Sequence, residues 1–426
     1  LQWWQLLGIK PEVASIISKA EQLVSFQHRS IEEVSLYNQA RVLKAFQDEK
    51  VTEEHFSPGE GYGYNDSGRE KLESLFARIF KGEEAVVRPQ FVSGTHTLFT
   101  CLLGLLRPGE RLISVTGPPY DTLMTTITGF SAGSDSREGH LNDWGISFLY
   151  LNTEEFIHYH NEDHLRRLLQ KPTKAVFIQR SRGYSPHRRS LTVSEIRTLV
   201  NRIRLFNPGV AVLVDNCYGE FVEKEEPLQA GADLIAGSLI KNPGGGLAPT
   251  GGYVVGKKKY IDRVSNMLSA PGLGKELGAF LCSKRPFFQG LFMAPHLSGQ
   301  ALKGAVTMAA ALELAGYNVE PGSSEERGDI VQAVRLKSEE ELQKVCCAVQ
   351  NFSPVNSHLV PVAGRTAGYH DLVYMAAGTF VQGASSEFSA DAPLREPFNA
   401  YLQGGLSYEH VLAGTASVLQ VLLYGD

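Results

Sequence analysis

The sequence predicts an α/β fold: a mostly parallel sheet flanked by helices, followed by a smaller α+β lobe at the C-terminal end. Two observations predict it. From about residue 70 to 270, apolar segments rich in β-branched residues alternate with amphipathic ones, as in a sheet covered on both faces. Beyond that, helix mixes with Gly-rich loops and short strands. At 426 residues the chain is long enough for two domains. The expected division is an N-terminal helical segment over 1–55, a large α/β domain over 56–290 and a small domain over 291–426.

The elements follow in order. The first fifty residues are helical and aromatic-rich. Helical periodicity covers 69–80, a short strand fits 84–90, and a helix over 95–106 ends at Arg107-Pro108-Gly109. Strands fit 111–115, 147–151, 174–180, 210–216, 234–239 and 252–256, with helical patterns near 163–169 and 193–204.

Composition narrows the class. The apolar, charged and aromatic fractions are those of a globular protein. A formal charge of −5 argues against nucleic acid or an anionic membrane as partner. No apolar stretch approaches the roughly 18 residues of a membrane span. Five cysteines without CxxC spacing read as reduced thiols, so a cytoplasmic location is expected. His158, His160 and His164 lack an accompanying ligand set, so no metal is expected.

The chemistry centres on Lys241. It follows an apolar strand and opens the turn Asn242-Pro243-Gly244-Gly245-Gly246. An earlier apolar strand, Val212-Leu213-Val214, ends on Asp215. A buried lysine is costly unless paired or neutralised. An acid ending one strand and a lysine after a later one, with Ser238 three residues before it, fit pyridoxal phosphate: the acid holds the pyridinium nitrogen and the lysine carries the aldehyde as an imine. Ser93-Gly94-Thr95-His96 lies between strand and helix, where backbone N–H groups can bind an anion or form a simple cap. Tyr120, at the next strand-to-helix step, is either a stacking platform or a packed aromatic.

Taken together, these segments resemble the aluminium-resistance protein family, the methionine γ-lyase-like branch of fold-type I pyridoxal-phosphate enzymes. The resemblance is carried by Gly61-Tyr62-Gly63-Tyr64-Asn65-Asp66, Val92-Ser93-Gly94-Thr95-His96, Pro119-Tyr120-Asp121, Gln179-Arg180-Ser181-Arg182-Gly183-Tyr184, Val214-Asp215-Asn216-Cys217-Tyr218, the Lys241 turn, Gln382-Gly383-Ala384-Ser385-Ser386 and Pro393-Leu394-Arg395. It implies that Lys241 is catalytic and takes the substrate Cα proton, for which a lowered amine pKa is expected. It further implies that Gly94, Thr95 and Ser238 hold the phosphate, that Tyr120 stacks on the ring, and that Tyr62 or Tyr64 reaches a neighbouring subunit's phosphate. Arg395 is the candidate clamp for the substrate α-carboxylate, with Arg182 the second; either also fits a structural ion pair. The implied assembly is a homotetramer, a dimer of dimers with sites at subunit interfaces. The implied reaction is carbon–sulfur lysis of a sulfur-containing amino acid by β- or γ-elimination. Transamination, aldol cleavage and a non-catalytic binding protein are the alternatives. Cystathionine lyases carry Ser-x-Thr-Lys before the glycine turn, where this chain has Ser238-Leu239-Ile240-Lys241, so their substrates do not transfer.

Overall fold

A computed structural model describes residues 2–129, 138–186 and 188–425. Seven strands form the larger sheet: β1 (Glu84–Arg88), β2 (Arg111–Ser114), β3 (Ser147–Tyr150), β4 (Thr173–Gln179), β5 (Ala211–Asp215), β6 (Leu234–Ser238) and β7 (Gly252–Gly256). Their order is β1-β7-β6-β5-β4-β2-β3. The run from β6 through β5, β4 and β2 to β3 is parallel. Within this sheet β7 is reversed, pairing antiparallel with both β1 and β6. β1 therefore points the same way as β6, and the strands other than β7 deliver their carboxyl ends to one edge.

Helices cover both faces, as the continuous apolar character of the strands requires. On one side, helices Gly94–Leu105 and Lys258–Leu268 bury Leu98, Leu102, Ile261 and Val264 against the sheet. On the other, Ser67–Phe80, Val193–Phe206 and part of Arg285–Leu314 bury Phe76, Phe80, Ile196, Ile203 and Leu291. Caps set the starts of the predicted helices. The Asp66 carboxylate accepts from Arg69 N, which moves the first turn of that helix to Ser67.

A second, antiparallel sheet follows: β8 (Asn318–Glu320), β9 (Gln332–Arg335), β10 (Val373–Ala376), β11 (Ser389–Pro393) and β12 (Asn399–Gln403), ordered β10-β11-β12-β9-β8. Helices Glu339–Asn351 and Tyr408–Tyr424 share one core with it. The N-terminal helix Pro11–Leu23 joins that same core through Val13, Ile17 and Ala20. The next helix, Ser25–Asp48, instead sends Val42 and Ala45 into the core of the large sheet. The helix Arg285–Leu314 feeds both cores, with Leu291 and Ala294 in one and Met308 and Leu312 in the other.

Candidate active site

The carboxyl edge of the larger sheet is where an open α/β fold places its ligands. Here it meets residues of the second sheet around a cavity of about 330 Å³. Gly94, Thr95, Tyr120, Asp215, Ser238 and Lys241, positions spread widely along the chain, all line it.

Local chemistry explains each placement. Ser93 caps the helix Gly94–Leu105, its hydroxyl accepting from His96 N at 3.0 Å, so the first-turn N–H groups point at the cavity edge. A Cβ on Gly94 would lie 3.4 Å from the Ser238 side chain, which shows how closely those two segments approach. Thr95 Oγ1 lies 3.1 Å from the Tyr120 hydroxyl and 3.0 Å from Thr122 Oγ1. The Tyr120 backbone N–H donates to Gln179 Oε1 at 2.9 Å, tying the ring's position to the end of β4.

Asp215 ends β5, 4% exposed, and its Oδ1 accepts from Cys217 N at 3.1 Å. Behind it Arg180 is fully buried and donates to Asn216 Oδ1, to the Gly219 carbonyl and to Glu223. That network fixes the segment after β5. Asn242 Nδ2 donates to the Tyr218 and Glu220 carbonyls, so the turn after Lys241 is pinned to the same segment. The acid and the lysine are thus held by one hydrogen-bonded unit.

Lys241 Nζ stands 3.9 Å from the centroid of the Tyr218 ring. Among the described residues no carboxylate lies within ion-pairing distance of it, Asp215 included. Burial would pull this ammonium down. The surrounding Cys217, Tyr218, Asp215 and Tyr120 more than offset burial and raise it well above the ordinary lysine value. Burial in turn raises the Cys217 thiol, the Tyr218 and Tyr120 phenols and the Asp215 carboxyl. The lowered amine pKa expected from sequence depends on the cofactor's cationic ring as well as on burial, and that ring is not among these groups.

The other anticipated residues lie elsewhere. Arg182 is 2% exposed and donates to the Glu320 carbonyl and carboxylate and to the Ser185 carbonyl. Arg395 pairs with Asp371 at 2.9 Å and donates to the Tyr184 carbonyl. Neither arginine lines the cavity; each touches a residue that does, Tyr401 and Tyr184 respectively. Tyr62 and Tyr64 stand outside it, 73% and 59% exposed.

Sequence reading missed Asp391 on β11, Tyr401 and Gln403 on β12, and Tyr369 on the loop before β10. No local motif marks them. Tyr218 was legible only as part of a motif. Its backbone takes φ +70°, unusual for a bulky residue, and its hydroxyl meets Ser385 Oγ at 2.7 Å, linking the two lobes under Lys241.

Strand order, the reversed β7 and a lysine and an aspartate at the carboxyl edge define a fold-type I protein of the pyridoxal-phosphate class. The pyridoxal-5'-phosphate dependent protein YhfS of Escherichia coli shares this fold, with a TM-score of 0.60 over 91% of this chain and 96% of its own at 17% identity.

The chain belongs to the methionine gamma-lyase family, whose model matches residues 13–423. It is 46% identical over 398 residues to the uncharacterized protein YnbB of Bacillus subtilis, covering 93% of each. A carbon-sulfur lyase involved in aluminum resistance from Clostridium novyi superposes with a TM-score of 0.91 at 40% identity, covering 99% of this chain and 98% of that one. The resemblance to the aluminium-resistance branch is therefore borne out. Family membership implies a lyase and pyridoxal phosphate as its cofactor. The residues present fit that group: a buried carboxylate and a buried amine face one cavity without pairing, as a cationic ring bridging them would require.

Proposed function

We propose that this chain is a pyridoxal-phosphate-dependent carbon–sulfur lyase that removes the α-proton of a sulfur-containing amino acid and expels a thiol by β- or γ-elimination. The observation that carries the reading is the unpaired Lys241 amine and Asp215 carboxylate on one cavity. The cofactor supplies an electron sink for the pair released when the Cα proton leaves. The chain's own residues do the rest. Asp215, kept in a dry site, holds a proton on the ring nitrogen. Gly94 and Thr95 at the helix N-terminus, with Ser238 opposite, bind the phosphate dianion through N–H and hydroxyl donors. Tyr120, fixed through Thr95 and Gln179, provides the stacking face. Lys241 Nζ would take the α-proton.

Of the two arginines, Arg395 is the better carboxylate clamp. It is one-third exposed and held by one side-chain partner, whereas Arg182 is buried and committed to three acceptors. Exposed Tyr62, Tyr64, Val92 and Leu281, with Val92 on the cavity rim, support a homotetramer in which a neighbouring subunit closes the site and receives Tyr62 or Tyr64. A cytoplasmic site of action completes the reading; no helix among the described residues is long and apolar enough to cross a membrane. The test is to load the protein with cofactor, offer cystathionine, methionine and threonine separately, and assay thiol, 2-oxo acid and glycine. Thiol and 2-oxo acid together are expected from a sulfur amino acid. Glycine from threonine alone would replace lysis with aldol cleavage.

A further inference from the structure

The charges facing the cavity are unusual for a site that binds an amino acid. Among the described residues, this chain contributes one amine, Lys241, and two carboxylates, Asp215 and Asp391. Asp215 is accounted for by the cofactor. Asp391 is not. It projects from β11 of the second sheet, and Gln403 Nε2 donates to its Oδ2 at 2.9 Å. The Tyr184 hydroxyl is its second polar neighbour. Beside it the rings of Tyr184 and Tyr401 stack at 5.3 Å between centroids, and Tyr369 lies 5.6 Å from Tyr184. All three tyrosines line the cavity.

Among the described residues no cation pairs with Asp391; Lys241 acts on it only at longer range. A carboxylate set in an aromatic wall is the chemistry that receives a positive group, by charge-assisted hydrogen bond and by attraction to the ring faces. The substrate's α-amine cannot be that group once it has reacted at the cofactor. A cation further along the side chain can be.

We infer that Asp391 selects amino acids carrying a second positive charge on the departing half, either a distal ammonium or a sulfonium at the sulfur that leaves. This rests on the cavity being the reaction site, and it narrows the substrate class from any sulfur amino acid to a cationic one. Burial raises the Asp391 carboxyl, its hydrogen bonds from Tyr184 and Gln403 act the other way, and an arriving cation would favour the ionised form further.

The test uses cofactor-loaded protein and isosteric pairs. S-(2-aminoethyl)cysteine is compared with S-propylcysteine for the ammonium, and S-methylmethionine with 2-amino-5-methylhexanoic acid for the sulfonium. Binding is read by calorimetry, which needs no optical signal and no turnover. At least one charged member is expected to bind about tenfold or more tightly than its neutral partner, and Asp391→Asn to abolish that ratio. The pair that shows the ratio identifies the cation. Equal affinities within both pairs in the wild-type protein would overturn the inference without any variant. So would a ratio that survives Asp391→Asn. Absence of the cofactor's near-visible absorption would instead sink the proposed reaction, an outcome distinct from either calorimetric one.

Discussion

Gly290→Ala tests whether the position of Lys241 is set from behind. The turn after Lys241 rests on the long helix Arg285–Leu314, backbone against backbone. A Cβ on Gly290 would stand 2.1 Å from the Gly244 carbonyl oxygen and 2.8 Å from its carbon. The reciprocal contact is as close: a Cβ on Gly245 would meet the Gly290 oxygen at 2.1 Å, in a residue already at φ +55°. Real Cβ contacts are essentially never under 3.0 Å, so the turn must retreat by roughly 1 Å, and carbonyl groups cannot swing aside as a flexible side chain can. Alanine in a helix interior gains about 1 kcal/mol over glycine, and overpacking costs about 1–3 kcal/mol, so the net loss of stability is small. The loss of activity is not small. A reacting group misplaced by about 1 Å costs on the order of 10²-fold. We therefore expect kcat/KM for thiol release to fall about a hundredfold while the melting temperature falls only slightly. Gly299→Ala, in the same helix, meets side-chain rather than backbone atoms, Ser35 Oγ at 3.0 Å and Cβ at 3.2 Å, and is expected to keep its activity. A Gly290→Ala enzyme with wild-type kcat/KM would refute the claim that this contact places the lysine.

Three further outcomes are expected. Lys241→Ala should fold, since it removes a buried charge, yet show no imine absorption and no α-proton exchange into deuterated solvent, which proton NMR reads directly. Burial pushes the Glu220 carboxyl up to about 8, so the folded state binds a proton that the unfolded state has already lost above pH 4.5. Stability should then decline between about pH 4.5 and 8, and Glu220→Gln, which keeps an acceptor for the Tyr253 hydroxyl, should flatten that decline in melting experiments across the range. Arg88→Met should be severe, because Glu73, 4% exposed and paired with Arg88, would be left charged in the core; about 3–5 kcal/mol of destabilisation is expected from denaturant titration.

Much of the large sheet was legible because its signals are local. Apolar β-branched runs fall on β1 to β7 within a residue or two, and Ser93, Asp66 and Thr192 sit where helix caps are needed. The acid and the lysine could be found because each follows from the end of its strand, and strand ends converge on one edge in this class of fold. The reversed direction of β7 could not be read, since pairing is a long-range property of the sheet.

The arginines show the same boundary from the side of function. A guanidinium is visible in a sequence, but its partner is not. Arg182 is taken up by Glu320, far along the chain, and Arg395 by Asp371 on a neighbouring loop. With Arg182 engaged and Arg395 outside the cavity lining, what the second sheet turns toward the cavity is a carboxylate, Asp391, on a strand whose sequence Ser389-Ala390-Asp391-Ala392-Pro393 carries no motif. Reading only the arginines suggests a site built for anionic substrate groups. The assembled cavity carries a carboxylate on its second-sheet wall, and the positive side chain inferred for the substrate is the complement of that charge.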